Sequence, residues 1–143
     1  MFTDLLRRLT APEPQKLPDP DARLALGALL VRVARSDGDY ADVEIAQIDR
    51  ALSARYGLSP FEAAKLRAEC EQLEAEAPDT VRFTRAIKDA VDYDDRVAVI
   101  EAMWSIVMAD GVREEEEDSL MRMTASLLGV SDQDSHKARL RIS

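Results

Sequence analysis

The sequence predicts an all-α fold, a compact bundle of about seven helices built from a duplicated helix-turn-helix unit. Three observations carry that expectation. Apolar residues recur at spacings of three and four from about residue 20 onward, with no run that alternates apolar and polar residues between turn signals. Capping residues, prolines and glycines mark legible helix starts and stops. A segment beginning at Val33 returns, in the same order and spacing, at Ile106.

The chain has 143 residues and a mass of 15.9 kDa, the size of one ordinary domain. With 46% hydrophobic and 33% charged residues it can bury a core and keep a solvated surface. The net charge of −9 repels phosphate backbones and anionic lipid, which disfavours nucleic acid as a partner. The single cysteine, Cys70, excludes an intramolecular disulfide, and the first residues lack the charged and apolar regions of a secretory signal. A cytoplasmic location is therefore the expectation. The longest apolar stretches, Leu24 to Ala34 and Val97 to Ala109, contain Arg32 and Glu101 and are too short for direct transmembrane insertion.

Residues 1–10 form a short amphipathic segment with Phe2, Leu5, Leu6 and Leu9 on one side and Arg7 and Arg8 on the other. Such a stripe offers little area to a membrane, so docking on its own domain or a partner is the better expectation. Pro12, Pro14, Pro18 and Pro20 make residues 11–19 a stiff connector, and the helical domain occupies 20–143. Asp21 can open a helix to about Ser36. The next runs from about Asp42 to Tyr56, with Ile45, Ile48 and Leu52 on one face and Gly57 as its stop. Ser59-Pro60-Phe61-Glu62 is a capping box with proline at the first helical position, and it starts a helix through Cys70 toward Glu76. After Pro78, a helix from Thr80 to Val91 buries Phe83 and Ile87. One from Asp94 to Ala109 is apolar on several sides and is expected to be the central, most buried helix. The last two run from Glu114 to Leu128, with Leu120, Met123, Thr124 and Leu127 inward, and from Ser131 to Arg141, separated by Gly129.

The repeat is specific in its spacing. Asp37-Gly38 with Glu44 matches Asp110-Gly111 with Glu117 at an offset of 73 for both acids. Gly57-Leu58-Ser59 then matches Gly129-Val130-Ser131 at an offset of 72. Each half reads helix, Asp-Gly, five residues, Glu, helix, Gly-apolar-Ser, helix. Two chemistries fit Asp-Gly-x5-Glu. The carboxylates can serve the backbone, with the glycines ending one helix and the acids capping the next. They can also converge on a cation, Asp37, Asp39, Asp42 and Glu44 from one half and Asp110, Glu114, Glu115, Glu116, Glu117 and Asp118 from the other. Oxygen donors without sulfur or imidazole suit Ca²⁺, Mg²⁺ or Mn²⁺ and not Zn²⁺. An EF-hand is excluded, because Asp42 and Ile48 stand where its sixth-position glycine and twelfth-position glutamate would be. The metal candidates are Asp37, Asp39, Glu44, Asp110, Glu114 and Glu117.

Catalytic signatures are missing. The chain has no Gly-x-Ser-x-Gly, Walker or Rossmann glycine pattern, and one histidine with one distant cysteine makes a poor nucleophile-base pair. No organic cofactor is expected. His136 sits among Lys137, Arg139 and Arg141, where cations favour a helix C-terminus. Glu69 and Glu71 flank Cys70 and raise its thiol pKa. Met103, Trp104, Met108, Met121 and Met123 fall at helical spacings that suit a core.

Ala28-Leu29-Leu30-Val31-Arg32-Val33-Ala34-Arg35-Ser36-Asp37-Gly38, Glu44, Gly57-Leu58-Ser59, Phe83-Thr84, Asp95-Arg96, Met103-Trp104, Met108-Ala109-Asp110-Gly111 and Glu117 together resemble the tellurite resistance protein TerB family. The same domain type is seen in the membrane-anchored co-chaperone DjlA. The likeness spans roughly residues 20 to 141. It implies an all-helical bacterial domain that binds divalent cations and works with other tellurite-resistance proteins, including a membrane partner, in stress responses. Asp37, Glu44, Asp110 and Glu117 are the acids that match by position. The expected function is therefore a non-catalytic, cytoplasmic adapter that binds a divalent cation through its acidic turns. The alternative is a protein-protein interaction module in which the same acids only cap helices and the N-terminal segment supplies the partner contact.

Overall fold

A computed structural model of the chain describes residues 2–9, 19–35, 40–77, 79–108 and 115–142. They form α1 (Thr3–Leu9), α2 (Asp19–Ala34), α3 (Asp42–Tyr56), α4 (Pro60–Glu76), α5 (Thr80–Ala90), α6 (Tyr93–Val107), α7 (Glu115–Leu127) and α8 (Asp132–Ile142). No strand occurs among the described residues. The all-α bundle is thus the observed fold.

The duplication is visible as two three-helix units, α2-α3-α4 and α6-α7-α8, with α5 between them. In the first, α2 packs on α4; in the second, α6 packs on α8. The junctions share one geometry. Gly57 and Gly129 adopt φ of 64° and 71°, the left-handed conformation that glycine takes without a Cβ clash. That turn lets the next amide reach back five residues, Leu58 N–H to the Ser53 carbonyl at 3.1 Å and Val130 N–H to the Ala125 carbonyl at 2.9 Å. The following serine then caps the next helix: Ser59 Oγ accepts from Glu62 N–H at 3.2 Å, and Ser131 Oγ from Asp134 N–H at 3.1 Å. An arginine sits at the same place in both halves. Arg23 lies over the Tyr56 ring just before Gly57, and Arg96 donates to the Leu128 carbonyl just before Gly129, each at the negative end of a helix.

The central helix is α2 and not, as the apolar pattern suggests, α6. Residues 25–31, Val33 and Ala34 are buried, and α2 touches α3, α4, α5, α6 and α7. On α6 the exposed Asp94 and half-buried Glu101 and Ser105 keep one side toward solvent. The inward face of α7 is also rotated from the expectation. Met121, Thr124, Ala125 and Leu128 are buried, whereas Leu120 and Leu127 are only half-buried and Met123 is exposed. Apolar residues on several sides of one helix leave its orientation to the neighbours, here α5, α6 and α8. Met108 is exposed as well, so Met103, Trp104 and Met121 are the members of the methionine-tryptophan set that enter the core.

The segment α1 lies on α5, where Leu5 and Leu9 are buried. Its apolar stripe is spent on the chain's own core, while residues 10–18 of the connector lie outside the described residues. Helix α2 opens two residues before Asp21, because Pro20 falls in the first turn, where its missing N–H would have no partner anyway.

The capping box at α4 makes stability pH-dependent. Ser59 N–H donates to Glu62 Oε1 at 3.0 Å, and this bond, with the Ser59 hydroxyl, holds the Glu62 carboxyl below its ordinary value. A lowered folded pKa stabilises above the unfolded pKa and is lost as pH falls through the folded one. Glu62→Gln is therefore expected to lower the thermal midpoint at pH 7, with the gap to the parent closing as pH falls below about 4. Parallel melting curves across that range check it; a gap constant with pH sinks it.

Candidate functional site

The first Asp-Gly segment leaves α2 at Arg35 and returns at Tyr40, just before α3. Ala41, extended at φ −73° and ψ 152°, is the N-cap of α3. Alanine has no side-chain acceptor, so only half of a capping box forms: Ala41 N–H donates to Glu44 Oε1 at 3.3 Å. Glu44 is 4% exposed. It is the third residue of α3, and its repeat counterpart Glu117 lies within α7. Asp37, Asp39, Asp110 and Glu114 lie outside the described residues, and of Glu117 the backbone alone is described. Among the described residues no three His, Cys, Asp or Glu side chains come together as a metal cluster.

An ion-pair network that the sequence does not reveal joins the end of α2 to α4, and α4 to α3. Arg32 and Arg35, one turn apart at the end of α2, converge on Glu74 of α4. Arg32 Nε to Oε1 is 3.2 Å, and Arg35 to Oε2 is 2.9 Å. Arg32 also donates to the Glu74 carbonyl at 3.1 Å, an acceptor it shares with the Ala77 N–H at 3.2 Å at the end of α4. Arg32 faces the Phe83 ring, and Arg35 the Tyr40 ring at 4.9 Å. Farther along α4, Arg67 binds Asp49 of α3 at 2.6 Å and Glu71 of its own helix at 3.3 Å. Burial pulls the Arg67 guanidinium down, but Asp49 and Glu71 outweigh it and hold its pKa above the ordinary value.

Tyr40 closes this layer. Its hydroxyl is buried without a hydrogen bond of good geometry, and burial first, then the neighbouring Glu71, pushes its pKa well up. Three guanidiniums face three carboxylates here, so the layer compensates its own charge and fixes where the first turn leaves α2 and enters α3. The sign in the sequence is a pair of arginines, i and i+3, inside an otherwise apolar helix. Their partner lies 42 residues from Arg32, beyond any local pattern.

Cys70 is fully buried between α4 and α2. Burial, then Glu69 and Glu71, pushes its thiol up to about 12. The charged neighbours are thus the smaller cause. Such a thiol is not a nucleophile near neutral pH. Among the described residues no helix is long and apolar enough to cross a membrane.

A family model described as tellurite resistance protein TerB matches residues 23–140. Searches of curated proteins and of solved structures give no match.

Proposed function

The chain belongs to the tellurite resistance protein TerB family, and from that premise we propose that it acts by binding and not by catalysis. In this reading it is a cytoplasmic adapter of tellurite resistance or a related stress response. The Asp-Gly-x5-Glu segments hold a divalent cation, Ca²⁺, Mg²⁺ or Mn²⁺, and the bound ion tunes a helix-lined surface for a protein partner, including one in a membrane-associated complex. The observation that carries it is the register of the repeat. Two acidic segments of identical spacing each end on a glutamate that lies in a helix, Glu44 in α3 and Glu117 in α7. Helix capping alone asks for one acid per turn, whereas oxygen-loving cations ask for several. The inert Cys70 thiol supports a non-catalytic role, and the charge of −9 supports a partner other than nucleic acid.

The second reading, a purely structural interaction module, is favoured by the bond from Ala41 N–H to Glu44, which occupies that carboxylate in capping α3. One experiment separates them. Metal-stripped protein is melted with increasing Ca²⁺, Mg²⁺ or Mn²⁺ at fixed ionic strength, alongside Asp37→Asn and Asp110→Asn. A cation site predicts a saturable rise for one ion, worth about 2.7 kcal/mol at a hundredfold excess over the dissociation constant and lost in the variants. Helix caps predict no rise, and two variants less stable with or without metal.

A further inference from the structure

A cavity of about 360 Å³ opens between α6, α7 and α8, far in sequence from the first Asp-Gly segment. Trp104 of α6, Arg122 of α7, and Asp132, Ser135, His136 and Arg139 of α8 line it. Two features set it apart. Arg122 and Arg139 form no ion pair with a described carboxylate, which is also true of Arg23, Arg50, Arg85 and Arg96, but these two come from different helices to line one cavity. In a chain of net charge −9, two guanidiniums with no ion pair among the described residues, gathered around one concavity, create a local reversal of sign. The second feature is Ser135, 9% exposed, whose Oγ accepts from Trp104 Nε1 at 3.2 Å. That bond uses the oxygen as acceptor and leaves the hydroxyl proton to donate into the cavity.

We propose that this cavity binds a phosphate group. Arg139 stacks on the Trp104 ring with 5.5 Å from guanidinium to centroid, so its planar fork is oriented before any ligand arrives. Arg122 approaches from a different helix, and the Ser135 hydroxyl and His136 imidazole supply donors from the wall. A tetrahedral oxyanion accepts hydrogen bonds from several directions, whereas a carboxylate accepts them near one plane; donors spread over two helices favour the former. Asp132 opposes the anion, but one carboxylate does not cancel two guanidiniums.

Trp104 is the sole tryptophan, so its fluorescence reports on this cavity alone. The full chain is titrated with inorganic phosphate at constant ionic strength, with glycerol phosphate and acetate as further arms. Arg122 is exposed, so Arg122→Gln tests the site without disturbing the core. Expected is a saturable change with phosphate, weakened roughly tenfold or more in Arg122→Gln, as the loss of a charge-assisted hydrogen bond implies. It should tighten in Asp132→Asn. Tighter binding of glycerol phosphate assigns the group to an organic ester, and binding of inorganic phosphate alone assigns it to the free ion; either supports the site. No saturable change, acetate binding as tightly as phosphate, or titrations unchanged by Arg122→Gln would overturn it.

Discussion

Gly27→Ala is expected to destabilise the protein by about 1–3 kcal/mol, the usual consequence of overfilling a packed core. The direction is opposite to intrinsic propensity, which favours alanine over glycine inside a helix by about 1 kcal/mol. Packing decides the sign. Gly27 lies buried in α2, and a Cβ there would run into Cys70 Sγ of α4, well inside contact distance. Cys70 is itself fully buried, so the sulfur has no open side to which it can rotate. The remaining neighbours are ordinary contacts, Cys70 Cβ at 3.5 Å and Leu52 Cδ2 at 3.7 Å. Gly27→Ala combined with Cys70→Ala should therefore recover most of the loss, since the new methyl fills space that the sulfur vacates. Denaturant unfolding of both singles and the double measures this coupling. A Gly27→Ala protein as stable as the parent, or a double no better than that single, would refute the account.

This contact also marks where local pattern stops being informative. The end of α3 and the start of α4 follow from sequence, because Gly57, Ser59, Pro60 and Glu62 act on their own backbone and need no distant partner. The repeat was legible for the same reason: Gly57 and Gly129 take the same left-handed turn, and each is followed by a capping serine. Gly27 looks from sequence like an ordinary weak point in a helix, and only the approach of α4 explains it. The inward face of α7 and the central place of α2 depend likewise on what packs around them. Of the site, the helical register of Glu44 was readable from the repeat, while the pairing of Arg32 and Arg35 with Glu74 was not. Trp104 and Ser135 show the limit inside the repeat itself. Their counterparts in the first half are Val31 and the fully buried Ala63, so the second unit replaces an apolar pair with a hydrogen-bonded one.

Glu74→Gln is expected to lower stability by about 2–3 kcal/mol, the range for losing charge-assisted hydrogen bonds at a mostly buried site. Glu74 is 12% exposed and Arg32 16%, so solvent screens this cluster weakly compared with a surface pair. Arg32 is pinned between Phe83 and α4, and Glu74→Gln removes the negative charge on which Arg32 and Arg35 converge. Much of the loss thus arises from keeping a guanidinium mostly buried once its carboxylate is neutralised, and not from the pair's own attraction. That distinction is testable. Replacing both partners, Arg32→Met with Glu74→Leu, removes the attraction and the more buried guanidinium together and leaves Arg35, 38% exposed, to water, so it should be less destabilising than Glu74→Gln alone. Because the cluster also fixes how α2 ends before the first Asp-Gly segment, Glu74→Gln should raise amide exchange at Arg35, Tyr40 and Ala41 more than at the matching end of α6. Equal stability of Glu74→Gln and the parent, or a double variant worse than the single, would show that the network contributes shape alone and that its charges are already satisfied by water.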